Sequence, residues 1–352
     1  MIGVWGPRPR RVEGSALAFL RHHSNHTAMT PVFWQRDYPH ANAVLLPGPR
    51  PILVDTGFGP GAPGLLAWLA QHDVVLGALR VFNTHAHSDH VGGNAALARL
   101  GVPNACSVIE AKASAGPDAC RARYLAQPIE AYVVSATISP GAVLETGASQ
   151  WVVIPTPGHT AGHCSLTDGA TLVLGDALHG ADIGWLDIMQ DGPSALDAAA
   201  DSIERLAALP AHVGYSGHGP AITDIPAAIA RARRRIARWR ADPEQVLWHA
   251  CKRIFSHMLM LEGGLTEAAL ATTLMPMPWF RAHADLLDMT EEAFVTALMR
   301  ESVRADAVAW QDGLLVATAS YDPPRPHWAI GPTRPSDWPS QSSFALASPV
   351  WR

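Results

Sequence analysis

The stretch Asn83-Thr84-His85-Ala86-His87-Ser88-Asp89-His90 puts three histidines and one aspartate within six residues. Residues 78–82, just before it, read as a strand, and Val91-Gly92-Gly93-Asn94 leads into a helix expected over residues 95–100. On a loop leaving a strand, His85 and His87 can face one way while Asp89 and His90 turn towards a second point. Imidazole nitrogen and carboxylate oxygen are the donors that a borderline divalent ion such as zinc takes. With 17 histidines in the chain, a solvated polar loop is the competing reading, and later segments decide between the two.

Those segments follow in order. Thr156-Pro157-Gly158-His159-Thr160-Ala161-Gly162-His163 comes after the apolar run 151–154, and Gly175-Asp176 comes after 172–174. Ser216-Gly217-His218-Gly219-Pro220 comes after His212-Val213-Gly214-Tyr215. Each candidate sits just past a short β-type run, where a sheet scaffold presents binding residues on loops. His-x-His-x-Asp-His, then Gly-His-Thr-x-Gly-His, Gly-Asp and Gly-His-Gly-Pro together resemble the metallo-β-lactamase-fold hydrolase superfamily, over residues 42–220. The resemblance implies an α/β fold of the αββα type, two sheets sandwiched between helices. Seven candidate ligands are too many for one tetrahedral zinc and suit two metals sharing a bridge. By resemblance, His85, His87 and His159 hold the first metal, Asp89, His90 and His218 the second, and Asp176 bridges them. Zinc leads as the metal, with iron or manganese as alternatives. Asp89 and Asp176 are the expected catalytic carboxylates, beside a metal-bridging hydroxide as nucleophile. No Gly-x-Ser-x-Gly elbow is present, and this chemistry needs no serine or cysteine nucleophile. His163 belongs to the motif but is expected to buttress its loop through a hydrogen bond.

Composition sets the outer bounds. A chain of 352 residues is long enough for one large domain and a smaller one. With 48% hydrophobic and 16% charged residues, it can bury a sizeable core, which excludes wholesale disorder. The formal charge of −5 is mild and does not favour a nucleic-acid polyanion as main partner. Cys106, Cys120, Cys164 and Cys251 show no paired spacing and read as free thiols of a reducing compartment. Arg8, Arg10 and Arg11 precede no apolar segment of signal-peptide type, and no run reaches the ~18 apolar residues of a membrane span. The expectation is a cytoplasmic protein with a small-molecule substrate, no membrane partner, and a homodimer left open.

Along the chain, His22, His23 and His26 read as a surface arm, or as extra contacts near the mouth of the site. Strands over 42–46 and 52–54 lead to Asp55-Thr56-Gly57, either a plain turn or a carboxylate supporting the metal loop. A helix is expected over 64–72 and a strand from 103 into the loop at 110. Tyr124 and Tyr132 line a pocket or pack as ordinary half-buried tyrosines. Residues 194–209 read as an amphipathic helix. The loop bearing Asp182, Trp185, Asp187 and Met189 is expected to border the substrate pocket. The helix over 225–240 carries Arg231, Arg233, Arg234, Arg235, Arg238 and Arg240, a phosphate patch or, the favoured reading, a solvated face. Helices over 243–261 and 265–274, the latter with Thr266 as candidate N-cap, precede a third opened by Thr290. A hairpin turned at Asp312-Gly313 follows. The pattern resembles the winged-helix appendage on the β-lactamase-like protein 2 branch of the superfamily. The expected division is 1–224 catalytic, 225–320 helical and winged-helix-like, and 321–352 a proline- and tryptophan-rich tail. The function expected is hydrolysis of a carboxylic ester, thioester or lactone, with a phosphodiesterase or nuclease using the same two metals as the alternative.

Overall fold

The computed structural model describes residues 29–114, 129–186, 188 and 192–321. The expectations placed on His22, His23, His26, Tyr124, Asp187, Met189 and residues 322–352 lie outside them.

Strands β1 (Val32–Trp34), β2 (Ala43–Leu46), β3 (Ile52–Val54), β4 (Arg80–Phe82), β5 (Asn104–Cys106) and β6 (Ala136–Thr137) form one sheet in that order. The first three pair antiparallel and the rest parallel. A second sheet runs β7 (Val143–Glu145), β8 (Gln150–Pro155), β9 (Cys164–Thr167), β10 (Thr171–Gly175) and β11 (Val213–Ser216), closed by a parallel β10–β11 pair.

The period-2 alternation of a strand explains why β2, β3 and β4 are buried at every residue. Val44, Leu46, Ile52, Val54 and Phe82 pack against Trp151, Val153, Leu166 and Val173 of the other sheet. The alternate residues Ala43, Leu45, Leu53 and Val81 face outward onto Leu65, Trp68 and Leu97. Those come from α1 (Ala62–Gln71) and, past the short α2 (Ser88–Val91), from α3 (Asn94–Arg99). On the far side, Val152, Ile154, Leu172 and Leu174 pack beneath two long helices. These are α5 (Ser194–Ala207) and α6 (Ile225–Ala241), which follow the short α4 (Val108–Ala113). Sheets with both faces covered need strands apolar on both sides; this is the αββα sandwich.

Residues 244–317 build a second core. Helices α7 (Glu244–Glu262), α8 (Glu267–Leu274), α9 (Pro278–Leu286) and α10 (Glu291–Arg304) gather Phe255, Trp279, Phe280, Phe294 and Leu298 around a ribbon of β12 (Val308–Gln311) and β13 (Leu314–Ala317). The ribbon turns at Asp312 (φ 49°) and Gly313 (φ 80°), the left-handed pair a two-residue hairpin needs. We keep the division at residues 224 and 320 as a proposal. In packing, the apolar face of α6 (Ile229, Ile236, Trp239) lies in the same cluster as α5 and β10.

Three local expectations differ. Of the strand and outgoing loop expected over 103–110, the strand ends at Cys106 and the loop is replaced by a helix, because the Ser107 side chain accepts from the Glu110 amide and starts α4. Thr266 precedes α8 but makes no side-chain capping bond. Helix α9 was not expected, since Met275-Pro276-Met277-Pro278 reads as a break. Pro278 instead occupies the first turn, where its missing N–H costs nothing. No helix among the described residues is long and apolar enough to cross a membrane.

Candidate metal centre

All seven expected residues lie at one end of the two sheets. His85 and His87 follow β4, and His87 is the extended residue (φ −70°, ψ 150°) from which α2 starts. Asp89 and His90 are therefore already on a helical turn, which swings them away from His85 and His87. His159 follows β8, Asp176 follows β10 directly, and His218 follows β11. At the end of β10, Gly175 has φ +50°, and a Cβ there would lie 2.6 Å from His163 Nε2 and 2.7 Å from Thr84 Oγ1. Only glycine lets the chain turn so close to both loops.

His85 Nε2, His87 Nδ1 and His159 Nε2 converge, at 3.1 Å, 2.9 Å and 3.1 Å from one another. Ligands ~2.0–2.1 Å from one tetrahedral zinc would stand about 3.3 Å apart, so this triangle is slightly tight but of the right size. Asp89 Oδ2 lies 3.1 Å from His218 Nε2 and 3.8 Å from His90 Nε2. Asp176 stands between the clusters: its carboxylate is 3.5 Å from His159 and from His90, and 3.6 Å from His218. His85, His87 and His159, and likewise Asp89, His90 and His218, offer donor atoms close enough to hold an ion, as do His85, His90 and Asp176. His90 Nε2 and Asp176 Oδ1 are buried without a hydrogen-bond partner. Such orphaned atoms are costly in a protein interior, and both suit coordination of a cation.

At the three-histidine cluster and the two carboxylates the electrostatics match. Burial, then neighbouring histidines, hold His85 and His159 well below the ordinary imidazole value, and burial lowers His87 also. All three are neutral at pH 7. Burial pushes the Asp176 carboxyl up, but His218, His90 and His159 outweigh it and hold it well below the usual range. Asp89 is lowered in the same way, burial being outweighed by His90 and His218. Neutral imidazoles and ionised carboxylates are the forms a metal requires.

Partners behind the ring fix which nitrogen faces inward. Asp55 Oδ2 accepts from His90 Nδ1 at 2.8 Å, and the Trp185 carbonyl accepts from His159 Nδ1 at 2.5 Å. The Thr84 hydroxyl donates to Asp55 at 2.8 Å, so it accepts from His85 Nδ1 at 3.0 Å. His85 and His159 are left with an Nε2 lone pair towards the centre. Burial lowers the His90 imidazole, but Asp55, Asp176 and Asp89 outweigh it and hold it well above the ordinary value, so its Nε2, which faces the centre, must give up a proton to take a cation. Asp55 therefore ties together residues 84 and 90 of the candidate metal loop and is more than a plain turn. His163 lies beside the cluster as a buttress: its Nε2 accepts from the Asp176 amide at 3.0 Å and its Nδ1 meets Thr156 Oγ1 at 2.8 Å.

Two supporting residues escaped the sequence reading. Glu110 is buried and accepts from the Ala86 amide (2.8 Å), the Thr160 hydroxyl (2.7 Å) and the Gly162 amide (3.0 Å), tying two ligand loops together. Its only local signal was Ser107 three residues earlier, a capping pattern. Asn42 donates to the carbonyls of Ser216 (2.9 Å) and Gly219 (2.8 Å), bracketing His218.

The helical region reaches the centre from the other side. Tyr38 Oη bonds Nδ1 of His257 on α7, and the Tyr38 ring lies 5.5 Å from that of His218. Asp182 takes a two-pronged bond from Arg235 (2.9 and 2.8 Å) and lies 3.4 Å from His249 Nε2. This anchors the loop after Asp176 to α6 and α7. Trp185 packs against the helical core, its ring 6.2 Å from those of His87 and His159. Tyr132 packs near Ala86 and Val91 and meets Ser114 through its hydroxyl. Four of the six arginines of α6 are engaged, while Arg234 and Arg238 are exposed without a partner among the described residues. Arg233 pairs with Glu204, Arg235 with Asp182 and Arg240 with Asp197, while Arg231 donates to the Gly180 carbonyl.

The chain is similar to several known proteins. It is 29% identical over 209 residues to thioesterase pkgB of Emericella nidulans, covering 58% of this chain and 53% of that one. It is 29% identical over 180 residues to a hydroxyacylglutathione hydrolase of Aliivibrio fischeri, covering 51% and 61%. An atrochrysone carboxyl ACP thioesterase of Emericella nidulans is 31% identical over 190 residues, covering 52% of each. The chain thus spans between about half and three fifths of the length of these curated relatives. Among solved structures, a metallo-beta-lactamase from Cronobacter sakazakii (Enterobacter sakazakii) aligns with a TM-score of 0.49 and 21% identity, over 61% of this chain and 100% of that one. The family model described as the metallo-beta-lactamase superfamily matches residues 36–218, just over half of the sequence and all seven clustered positions. With that match laid over the sandwich and its ring of histidines and aspartates, the chain belongs to the metallo-beta-lactamase superfamily.

Proposed function

We propose that the chain is a binuclear metal-dependent hydrolase of thioesters, with carboxylic esters and lactones as neighbouring substrate classes. The observation that carries this reading is the Asp176 carboxylate, 3.5 to 3.6 Å from His159, His90 and His218 and so shared between two donor clusters. His85, His87 and His159 would hold one ion, Asp89, His90 and His218 the other, and Asp176 both. Divalent ions bound there, zinc first among the candidates, would polarise a scissile carbonyl and bring the pKa of water down to ~7. Asp55, the Trp185 carbonyl and Thr84 hold the donor nitrogens aimed inward. Asp89 and Asp176, both ionised, are the carboxylates placed to accept a proton from the attacking water. His218 and Asp89, each about a fifth exposed, form the side open to a small-molecule substrate. The names of the relatives, two thioesterases and a hydroxyacylglutathione hydrolase, support a thioester over a phosphodiester.

The test is elemental analysis of freshly purified protein with a hydrolysis screen of thioesters, lactones, aryl esters and a bis-aryl phosphodiester. About two metals per chain with thioester turnover is the expected result. Phosphodiester cleavage with no carbonyl substrate turned over would reverse the ranking.

A further inference from the structure

Helix α7 carries His249, Arg253 and His257 at successive spacings of four, which places them on one face. Both histidines touch the surroundings of the metal centre. His249 lies against Asp182 in the loop after Asp176, and His257 bonds Tyr38, whose ring is tilted 46° to that of His218 at 5.5 Å. Arg253 stands between them on that same face. Its charge is felt by Tyr38, His179 and His249. Arg233, Arg235 and Arg240 each have a carboxylate partner. Arg253 is exposed and, like Arg234 and Arg238, has none among the described residues, but it alone of these three lies on the face of α7 that carries His249 and His257.

We propose that Arg253 is an anion-recognition residue at the mouth of the metal centre, binding a carboxylate or phosphate carried by the substrate. The guanidinium offers a planar fork that matches either group with two parallel bonds. Left unpaired, it also adds positive potential to the approach to the site. The arm for such a group comes from the helical region and not from the sandwich, so the second core serves recognition. The word substrate rests on the hydrolase reading above; the binding of an anion does not.

The experiment separates the two. Zinc-loaded wild-type protein, Arg253→Gln and Arg253→Lys are titrated by calorimetry with ω-mercaptoalkanoates, ω-mercaptoalkyl phosphates and the uncharged ω-mercaptoalkanamides, over a range of chain lengths. The thiol addresses the metals and the far end probes Arg253. At the length that spans the gap, wild type is expected to bind a charged thiol about tenfold more tightly than the amide. Arg253→Gln should lose that preference while keeping its affinity for the amide and its metal content, and Arg253→Lys should regain part of it. Whether carboxylate or phosphate shows the larger loss tells which group is recognised. A wild type without charge preference at any length overturns the proposal, as does a preference surviving in Arg253→Gln. Equal weakening of charged and neutral thiols in Arg253→Gln marks a structural role and also overturns it. Because binding is read without turnover, failure to hydrolyse any thioester would count against the hydrolase reading alone.

Discussion

On the sandwich side of the centre, each supporting residue is tied in several ways. Asp55 accepts from Thr84 and His90, Glu110 accepts from Ala86, Thr160 and Gly162, and Asn42 holds both sides of His218. On the helical side, fewer links reach in: Tyr38 to His257, Asp182 to Arg235 and His249, and the Trp185 ring. The first set over-determines where donor nitrogens stand, and the second sets what lies around the opening. Substitutions on the sandwich side should therefore act on metal affinity, and those on the helical side on substrate discrimination with the metals retained.

The largest effect is expected at the carboxylate both clusters share. Asp176→Ala should leave about one metal per chain and lower turnover by about a thousandfold or more, read by elemental analysis with steady-state kinetics. Full occupancy in this variant would show that the two clusters are independent. Next comes Asp55→Asn. The amide cannot serve both Thr84 and the His90 Nδ1–H as the carboxylate does, and metal affinity should fall about 10- to 100-fold in a chelator competition. Unchanged affinity would mean that His90 is oriented by packing alone. Gly217→Ala should follow. The new Cβ would lie 2.1 Å from Asp176 Oδ1 and 2.7 Å from His90 Cε1. Overpacking of this kind destabilises by about 1–3 kcal/mol, measured by thermal unfolding. The smallest signal concerns the two cores themselves. Burial raises the thiols of Cys164 (with a contribution from Glu110) and Cys251 to about 12 each. Neither should react with an aromatic disulfide at pH 8 in the native protein. Labelling of Cys251 well ahead of Cys164, mapped by mass spectrometry, would show that the helical core opens more readily than the sandwich.

Much of the candidate site was legible because its residues are tied to local chain features. His85 to His90 fall within one strand-to-helix turn, and His159, Asp176 and His218 each sit one step past a β-type run, so each motif carries its own address. Glu110 left almost no trace. A single glutamate reads as surface until the chain folds it under the two ligand loops, 24 residues from Ala86 and 52 from Gly162. Helix α9 was hidden by a proline that local rules treat as a breaker. The arginines of α6 illustrate the same limit. Their partners Glu204, Asp182 and Asp197 lie 29 to 53 residues earlier, and a charge run cannot announce which of its members are neutralised at that range.

Local patterning, then, marked the strands, the helices and the order of the candidate ligands, because hydrophobic period and turn chemistry act between neighbours a few residues apart, and the αββα class followed from the family resemblance those motifs carry. Which nitrogen of each histidine faces inward, which arginines find a carboxylate, and how α7 comes to stand over the centre were decided only by tertiary packing. These depend on contacts across tens to hundreds of residues, as between Tyr38 and His257, 219 positions apart, and no short stretch of chain encodes them.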